Sequence, residues 1–347
     1  MREVGRKGRE AFVNRYPYPM LNPPCFKWTK GGHVRDPKVH EWIQTIDENE
    51  EVNWQSVDVT ILGVPLSRSS ISASAASETP DVIRRAWKLF YPYSIDYNVD
   101  LQDLKVIDLG DVRQHVTDIL KCQRNITEAM TAMRDIHPNT LPIAIGGDHS
   151  ITAMLVKGWK QAHPKEEIGI LQFDTHFDLR DLITDGPTNG TPIRNLIESK
   201  TVKGENIYTI GPHGFFNAKS LKQYADDANV NYITLKEARK KGVNQTVHEA
   251  LYELSKKVDT IYVTVDMDVL DIGLAPGVPA STPGGMRTEE LIDAVYSAGK
   301  AEKVKALDLV CIDPNKDVTG GTIKAGVLAM LSFLTGYKQK KGRGLSN

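Results

Sequence analysis

From Val57 onward, apolar runs of strand length alternate with amphipathic segments of helical length, and this alternation confines the chain to a narrow class of folds. Strand-like runs fall at 58–64, 104–108, 141–145, 168–173, 206–210, 230–235, 260–266 and 305–312. Between them, apolar residues at helical spacing mark 117–136, 151–162, 218–228, 244–257, 288–300 and 321–336. Thr79-Pro80-Asp81 supplies a cap and a first-turn proline for a further helix through Val82, Ile83, Ala86, Leu89 and Phe90. Strands separated by helices pair in parallel, with helices covering both faces. The expected fold class is therefore α/β: three α/β/α layers around a central, mainly parallel sheet of about eight strands.

Ligands of such sheets bind beyond the carboxyl ends of the strands. Three of the runs deliver acids or imidazoles there. Leu141–Ile145 leads into Gly146-Gly147-Asp148-His149-Ser150, Ile168–Phe173 into Asp174-Thr175-His176-Phe177-Asp178, and Thr260–Val265 into Asp266-Met267-Asp268. Side chains of an extended backbone repeat every two residues, so Asp174, His176 and Asp178 are expected on one side, converging on one point. So many carboxylates packed without counter-charge would repel and push their pKa values up, and a pair of divalent cations removes that difficulty. Imidazole nitrogen with carboxylate oxygen suits Mn, Ni, Zn or Fe better than thiophilic metals.

In order and spacing these motifs resemble those of the ureohydrolase family, which includes arginase, agmatinase and formimidoylglutamase. The likeness covers roughly residues 55–335. It comes nearest to the formimidoylglutamase branch through the stretch 63–72 (Gly-Val-Pro-Leu-Ser-Arg-Ser-Ser-Ile-Ser), Asp178-Leu179-Arg180 and the stretch 186–192 (Gly-Pro-Thr-Asn-Gly-Thr-Pro). The resemblance implies an arginase-like fold and a metal-dependent amidinohydrolase. Two divalent metal ions per subunit, Mn or Ni, would be held by His149, Asp174, His176, Asp178, Asp266 and Asp268, with Asp174 and Asp266 bridging. Water activated between them would attack the carbon of an amidine or guanidine group in a small-molecule substrate. Asp268 and His176 are the implied catalytic residues, Asp268 as carrier of a proton to the leaving nitrogen, and Asp148 is expected to orient a ligand from behind.

Five positions are substrate-binding candidates: Asn189, Thr191, Arg68, Arg180 and Cys311. Asn189 stands where arginases and agmatinases usually have histidine, and with Thr191 it either hydrogen-bonds substrate or holds the turn. Arg68 and Arg180 either meet substrate carboxylates or pair with nearby acids such as Asp181. Cys311 occupies the position of a family glutamate when Asp313-Pro314 is aligned, which removes a charge-assisted contact worth about 1.5–3 kcal/mol. Ala73, Ala75 and Ala76, and Gly211-Pro212-His213, also depart from the branch and point to a less anionic, more apolar pocket. These departures open two alternatives: a hydrolase of small guanidines, alkylguanidines or biguanides, or a weakly active partner subunit of a hetero-oligomer.

The formal net charge of -1 offers no electrostatic case for nucleic acid or an anionic membrane. No apolar run approaches the ~20 residues that span a bilayer. Cys25, Cys122 and Cys311 form an odd, widely spaced set without a Cys-x-x-Cys, which favours a reducing cytoplasm over a disulfide framework. Residues 1–50 differ from the catalytic domain expected over 51–347. They form a proline- and aromatic-rich arm in which Tyr16, Tyr18, Phe26 and Trp28 offer apolar surface, and the arm is expected at a subunit boundary. The resemblance implies a homo-trimer or hexamer.

Overall fold

The structure is a computed structural model, and it describes residues 18–28, 36–46 and 52–344. Its main sheet runs, from one edge, through Leu21–Asn22, Val106–Val112, Val59–Gly63, Leu141–Ile145, Val304–Val310, Thr260–Asp266, Ile168–Phe173, Ile207–Ile210 and Asn231–Ile233. A short strand, Gln44–Thr45, also pairs with Val106–Val112. Leu21–Asn22 is antiparallel to its neighbour and every other pairing in this sheet is parallel. All eight expected strands are present, and their carboxyl ends lie along one edge.

Period-two alternation divides the core into two halves, one per sheet face. Ile61, Ile143, Leu171, Val263 and Leu307 pack with helices Thr79–Ala86, Val243–Lys257, Thr288–Lys300 and Gly321–Gly344. Their neighbours Leu62, Ala144, Ile170, Tyr262 and Ala306 pack with Ile119–Ile136, Ser150–Ala162 and Pro192–Glu198. The three-layer expectation is met. Three short helices were not foreseen: Val39–Trp42, Pro192–Glu198, and Leu235–Lys241, whose capping box of Thr234 and Glu237 ends the preceding strand at Ile233.

The described part of the N-terminal arm lies on its own chain. Tyr18 is buried with its hydroxyl against Nε2 of His137, and Trp28 Nε1 donates to the carbonyl of Arg84 at 2.9 Å. Phe26 meets Trp28 edge-on, with the Arg85 guanidinium over its ring. Residues 1–17, with Tyr16, lie outside the described residues.

Candidate active site

Four adjacent strands build the site. His149 follows Leu141–Ile145, Cys311 follows Val304–Val310, Asp266 ends Thr260–Asp266, and Asp174 follows Ile168–Phe173. The turn carrying His149 squeezes between two other segments: Asp148 N donates to Leu66 O at 2.7 Å and Cys311 N to Gly147 O at 2.9 Å. A Cβ on Gly147 would come within 1.8 Å of the Leu66 carbonyl oxygen, so only glycine allows this approach.

The Asp174–Asp178 segment is a loop and not an extension of the strand. The amide of His176 folds back onto Asp174 Oδ1 at 2.6 Å, and Asp178 takes a left-handed φ of 53°. This corrects the expectation of one point of convergence. The ligand candidates divide into two groups, His149 with Asp174 and Asp178, and His176 with Asp174 and Asp268, their donor atoms lying within 4.8 Å of one another in each group. Asp174 belongs to both. Its Oδ2 lies 3.2 Å from His149 Nδ1 and its Oδ1 lies 3.5 Å from His176 Nδ1. Asp178 Oδ2 is 2.7 Å and Asp266 Oδ2 3.2 Å from His149 Nδ1, while Asp268 Oδ2 is 3.0 Å from His176 Nδ1. Asp266 thus faces the His149 group, and its other oxygen accepts from Asp268 N at 2.9 Å.

Burial makes this arrangement costly without counter-charge. Burial and the neighbouring Asp174 push Asp178 up to about 7, and burial with Asp266 holds Asp268 well above the usual carboxylate range. Burial works against charge on His176, yet Asp268 and Asp174 push it up to about 12. Asp174 stays below its ordinary value: burial opposes this, but the neighbouring imidazoles of His149 and His176 prevail. One observation tests the fit of a metal directly. His149 Nδ1 and Asp178 Oδ2 are buried and point at each other, yet neither forms a hydrogen bond among the described residues. Orphaned buried polar atoms are rare and need an explanation. A divalent cation bound by imidazole and carboxylate supplies one.

Residues not foreseen from the sequence hold the ligands in place. Gln172 Nε2 donates to Asp174 Oδ2 at 2.7 Å and is itself fixed by the hydroxyl of Thr209. Thr264 Oγ1 sits 2.9 Å from His149 Nε2, which turns Nδ1 toward the acids. Asn217 accepts from Phe177 N and donates to Thr175 O, which pins the loop. Gln172 and Thr264 are polar residues inside otherwise apolar runs, and that is the signal that could have found them. Asp148, expected behind His149, accepts from the backbone of Ser69 and Ser150 and from the Ser150 hydroxyl. Its carboxylate anchors the 66–70 loop, and Thr264 takes the orienting role.

Beside the metal-ligand candidates lies a cavity of about 110 Å³ lined by His176, Asp178, Asp266 and Asp268 on one side and by Ile71, Arg180, Asn189 and Phe216 on the other. Arg180 is the cation in its wall. Arg68 is not in the wall: its guanidinium donates to the carbonyls of His115 and Val116 and, at 3.2 Å, to Cys122 Sγ, so it braces a loop and meets neither substrate space nor Asp181. Thr191 Oγ1 is buried, exchanging hydrogen bonds with Thr188, and holds the turn. Asn189 Oδ1 accepts from Ile71 N at 2.8 Å, joining two rims of the cavity. Cys311 is buried against Asp266, outside the wall, and has a left-handed φ of 67°. The apolar lining comes from Ile71, Phe216, Leu221 and Ala280 in place of Ala73 and Ala75.

Comparisons with known proteins identify the family and the fold. Residues 57–336 match the arginase family. Formimidoylglutamase of Halalkalibacterium halodurans is 42% identical over 276 residues, 80% of this chain and 86% of that protein. The Bacillus subtilis formimidoylglutamase is 38% identical over 288 residues, 82% of this chain and 90% of its own length. The crystal structure of the B. subtilis protein superposes with a TM-score of 0.83 at 36% identity, covering 92% of this chain and 97% of that one. A Trypanosoma cruzi formiminoglutamase crystallised with Mn has the same fold, with a TM-score of 0.78 at 22% identity over 87% of this chain and 98% of that one. None of these relatives favours the small-guanidine hydrolase or the weakly active partner subunit. A family match over four-fifths of the sequence, joined to two His–Asp groups at the carboxyl edge of a parallel sheet, places this chain in the arginase family.

Proposed function

We propose that this chain is a metal-dependent hydrolase of the formimidoylglutamase kind, cleaving the C–N bond of an amidine on a small carboxylate-bearing substrate. The observation that carries this reading is the sharing of Asp174 by two His–Asp groups beside a cavity with a cationic wall. His149, Asp174 and Asp178 would hold one divalent ion and Asp174, His176 and Asp268 the other, with Asp266 alongside His149. When bound, such a pair supplies a water that ionises near neutral pH and a Lewis acid for the amidine. Gln172 and Thr264 fix the directions of Asp174 and His149, so the ligand cage is set before substrate enters. Arg180 presents a planar donor fork suited to a carboxylate. Asn189, its Oδ1 engaged by Ile71, offers its Nδ2 to the substrate. Asp268 lines the same cavity and would hand a proton to the departing amine. The products follow from the bond broken: the amine of the amino acid is freed and the former amidine carbon leaves as an amide.

The ligand set accepts manganese or nickel alike. A cytoplasmic setting is supported by three free cysteines, Cys25, Cys122 and Cys311, and among the described residues no helix is long and apolar enough to cross a membrane. A trimer or hexamer is the proposed assembly, and light scattering of the intact chain reads it.

The decisive assay uses full-length protein reconstituted with Mn or Ni and offers N-formimidoylglutamate, guanidine, methylguanidine and biguanide in parallel. Glutamate release from the first is expected to dominate. Turnover confined to the guanidines would overturn the reading. An Arg180→Met variant should lower kcat/KM by about 10- to 100-fold, chiefly through KM, because it removes a charge-assisted contact and leaves the metal-ligand candidates untouched. An unchanged KM would dismiss Arg180 as the carboxylate anchor.

A further inference from the structure

A cavity of about 550 Å³ opens at the opposite edge of the sheet, where Leu141, Thr260 and Val304 begin their strands. Its volume is that of a small-molecule site, five times the room beside the metal-ligand candidates. Arg134, Lys305 and Lys340 project into it. Arg134 is only 5% exposed, and its guanidinium is held by the backbone carbonyls of His137, Pro138 and Thr140. No carboxylate pairs with it, and its Nε is buried without a hydrogen-bond partner among the described residues. Lys340 Nζ likewise rests on two carbonyls, Ala301 and Val304, each at 3.1 Å, and Lys305 has no ion-pair partner among the described residues.

The acids of the wall answer this charge only from a distance: Glu166 acts on Arg134 and Glu302 on Lys340, and neither forms an ion pair with that cation among the described residues. Glu166 Oε2 accepts from Trp159 Nε1 at 2.9 Å and Thr260 Oγ1 at 2.8 Å, and Asp259 Oδ2 accepts from Glu167 N at 2.9 Å. Burial and the nearby Lys305 bring Lys340 down to about 8, and burial brings Arg134 down to about 10. In both, burial outweighs the nearby acid, Glu302 for Lys340 and Glu166 for Arg134. His163 adds a second buried nitrogen, Nε2, without a partner among the described residues. Buried cations are as a rule paired with an anion, whereas Arg134 and Lys340 have only carbonyl oxygens and, for Arg134, the Trp159 ring among the described residues.

We propose that this cavity binds a small oxyanion, a phosphate ester or a polycarboxylate, seated on Arg134, Lys340 and Lys305 at the edge of the sheet remote from the metal centre. The test is calorimetric titration of the metal-loaded full-length protein with glycerol 3-phosphate and, separately, with tricarballylate. One of the two is expected to saturate at about one molecule per chain, and which of them does so separates a phosphoryl ligand from a carboxylate one. Lys305→Glu and Lys340→Gln should each weaken that binding about tenfold or more, with turnover in the absence of the probe unchanged in Lys305→Glu. Lys305 is exposed, so its replacement tests the idea even where loss of the Lys340 contacts disturbs the C-terminal helix. Failure of both probes to bind, or binding that neither substitution weakens, overturns the proposal.

Discussion

Asp174→Asn is expected to remove activity almost completely, on the order of 10³-fold in kcat/KM, and to empty both metal positions at once. The expectation rests on the carboxylate's double engagement: one oxygen faces His149 Nδ1 and the other His176 Nδ1. An amide keeps the shape but carries no charge and only one acceptor oxygen, so it can serve one group at most. Asp178→Asn is the informative comparison. Asp178 belongs to the His149 group alone, so this variant should retain about one ion per chain where Asp174→Asn retains none. Metal content after desalting, read by mass spectrometry, checks both. Two ions per chain in Asp174→Asn would mean that the two groups do not share this residue, and the proposed centre would have to be rebuilt around Asp266.

How much of this could be read from the sequence depended on whether a residue's role is local. Leu141–Ile145, Ile168–Phe173 and Thr260–Asp266 fell where expected because buried parallel strands are continuous apolar runs, and the acids just beyond them mark the edge of burial. Pairwise direction was harder. Arg68 and Arg180 look alike as candidates, yet one is drawn to two loop carbonyls and the other lines the cavity, a difference set by the path of the 113–118 loop and by no local pattern. Thr234-x-x-Glu237 is a legible capping box that should have ended the strand at Ile233 and opened a helix. The C-terminal helix runs past 336 through a lysine-rich stretch because Lys340 finds the Ala301 and Val304 carbonyls and Lys338 finds Asp103. The ligand partition was also hidden, since it follows from the left-handed turn at Asp178 that breaks the strand alternation.

The strand Val106–Val112 shows the same limit with a larger energetic consequence. The strand expected from the sequence stops at Asp108, yet Leu109-Gly110-Asp111-Val112 is also strand and buried. What makes this possible is Arg84, from the helix Thr79–Ala86. Its Nε and Nη2 meet the two oxygens of Asp108 at 2.7 and 2.9 Å, and its Nη1 meets Asp111 Oδ1 at 2.7 Å. Gly63 on the adjacent strand leaves the room, since a Cβ there would lie 1.8 Å from Asp111 Oδ1. Arg84→Met fills similar volume but leaves two acids buried without their cation, a loss of about 3–5 kcal/mol, or a fall in Tm of roughly 4–7 °C for a chain of this size. The sign with pH follows from the acids. Burial already raises Asp111 and Arg84 opposes that, so without Arg84 its carboxyl would ionise only further above its unfolded value, and the native variant binds more protons than the unfolded chain in that window. The penalty is then full at neutral pH and fades as pH falls toward the ordinary carboxyl range near about 4. Thermal melts of both proteins at pH 7 and pH 5 should show the gap narrowing on acidification; a gap that widens, or one under about 2 °C at pH 7, would mean that the helix-to-strand ion network is not what buries this half of the strand.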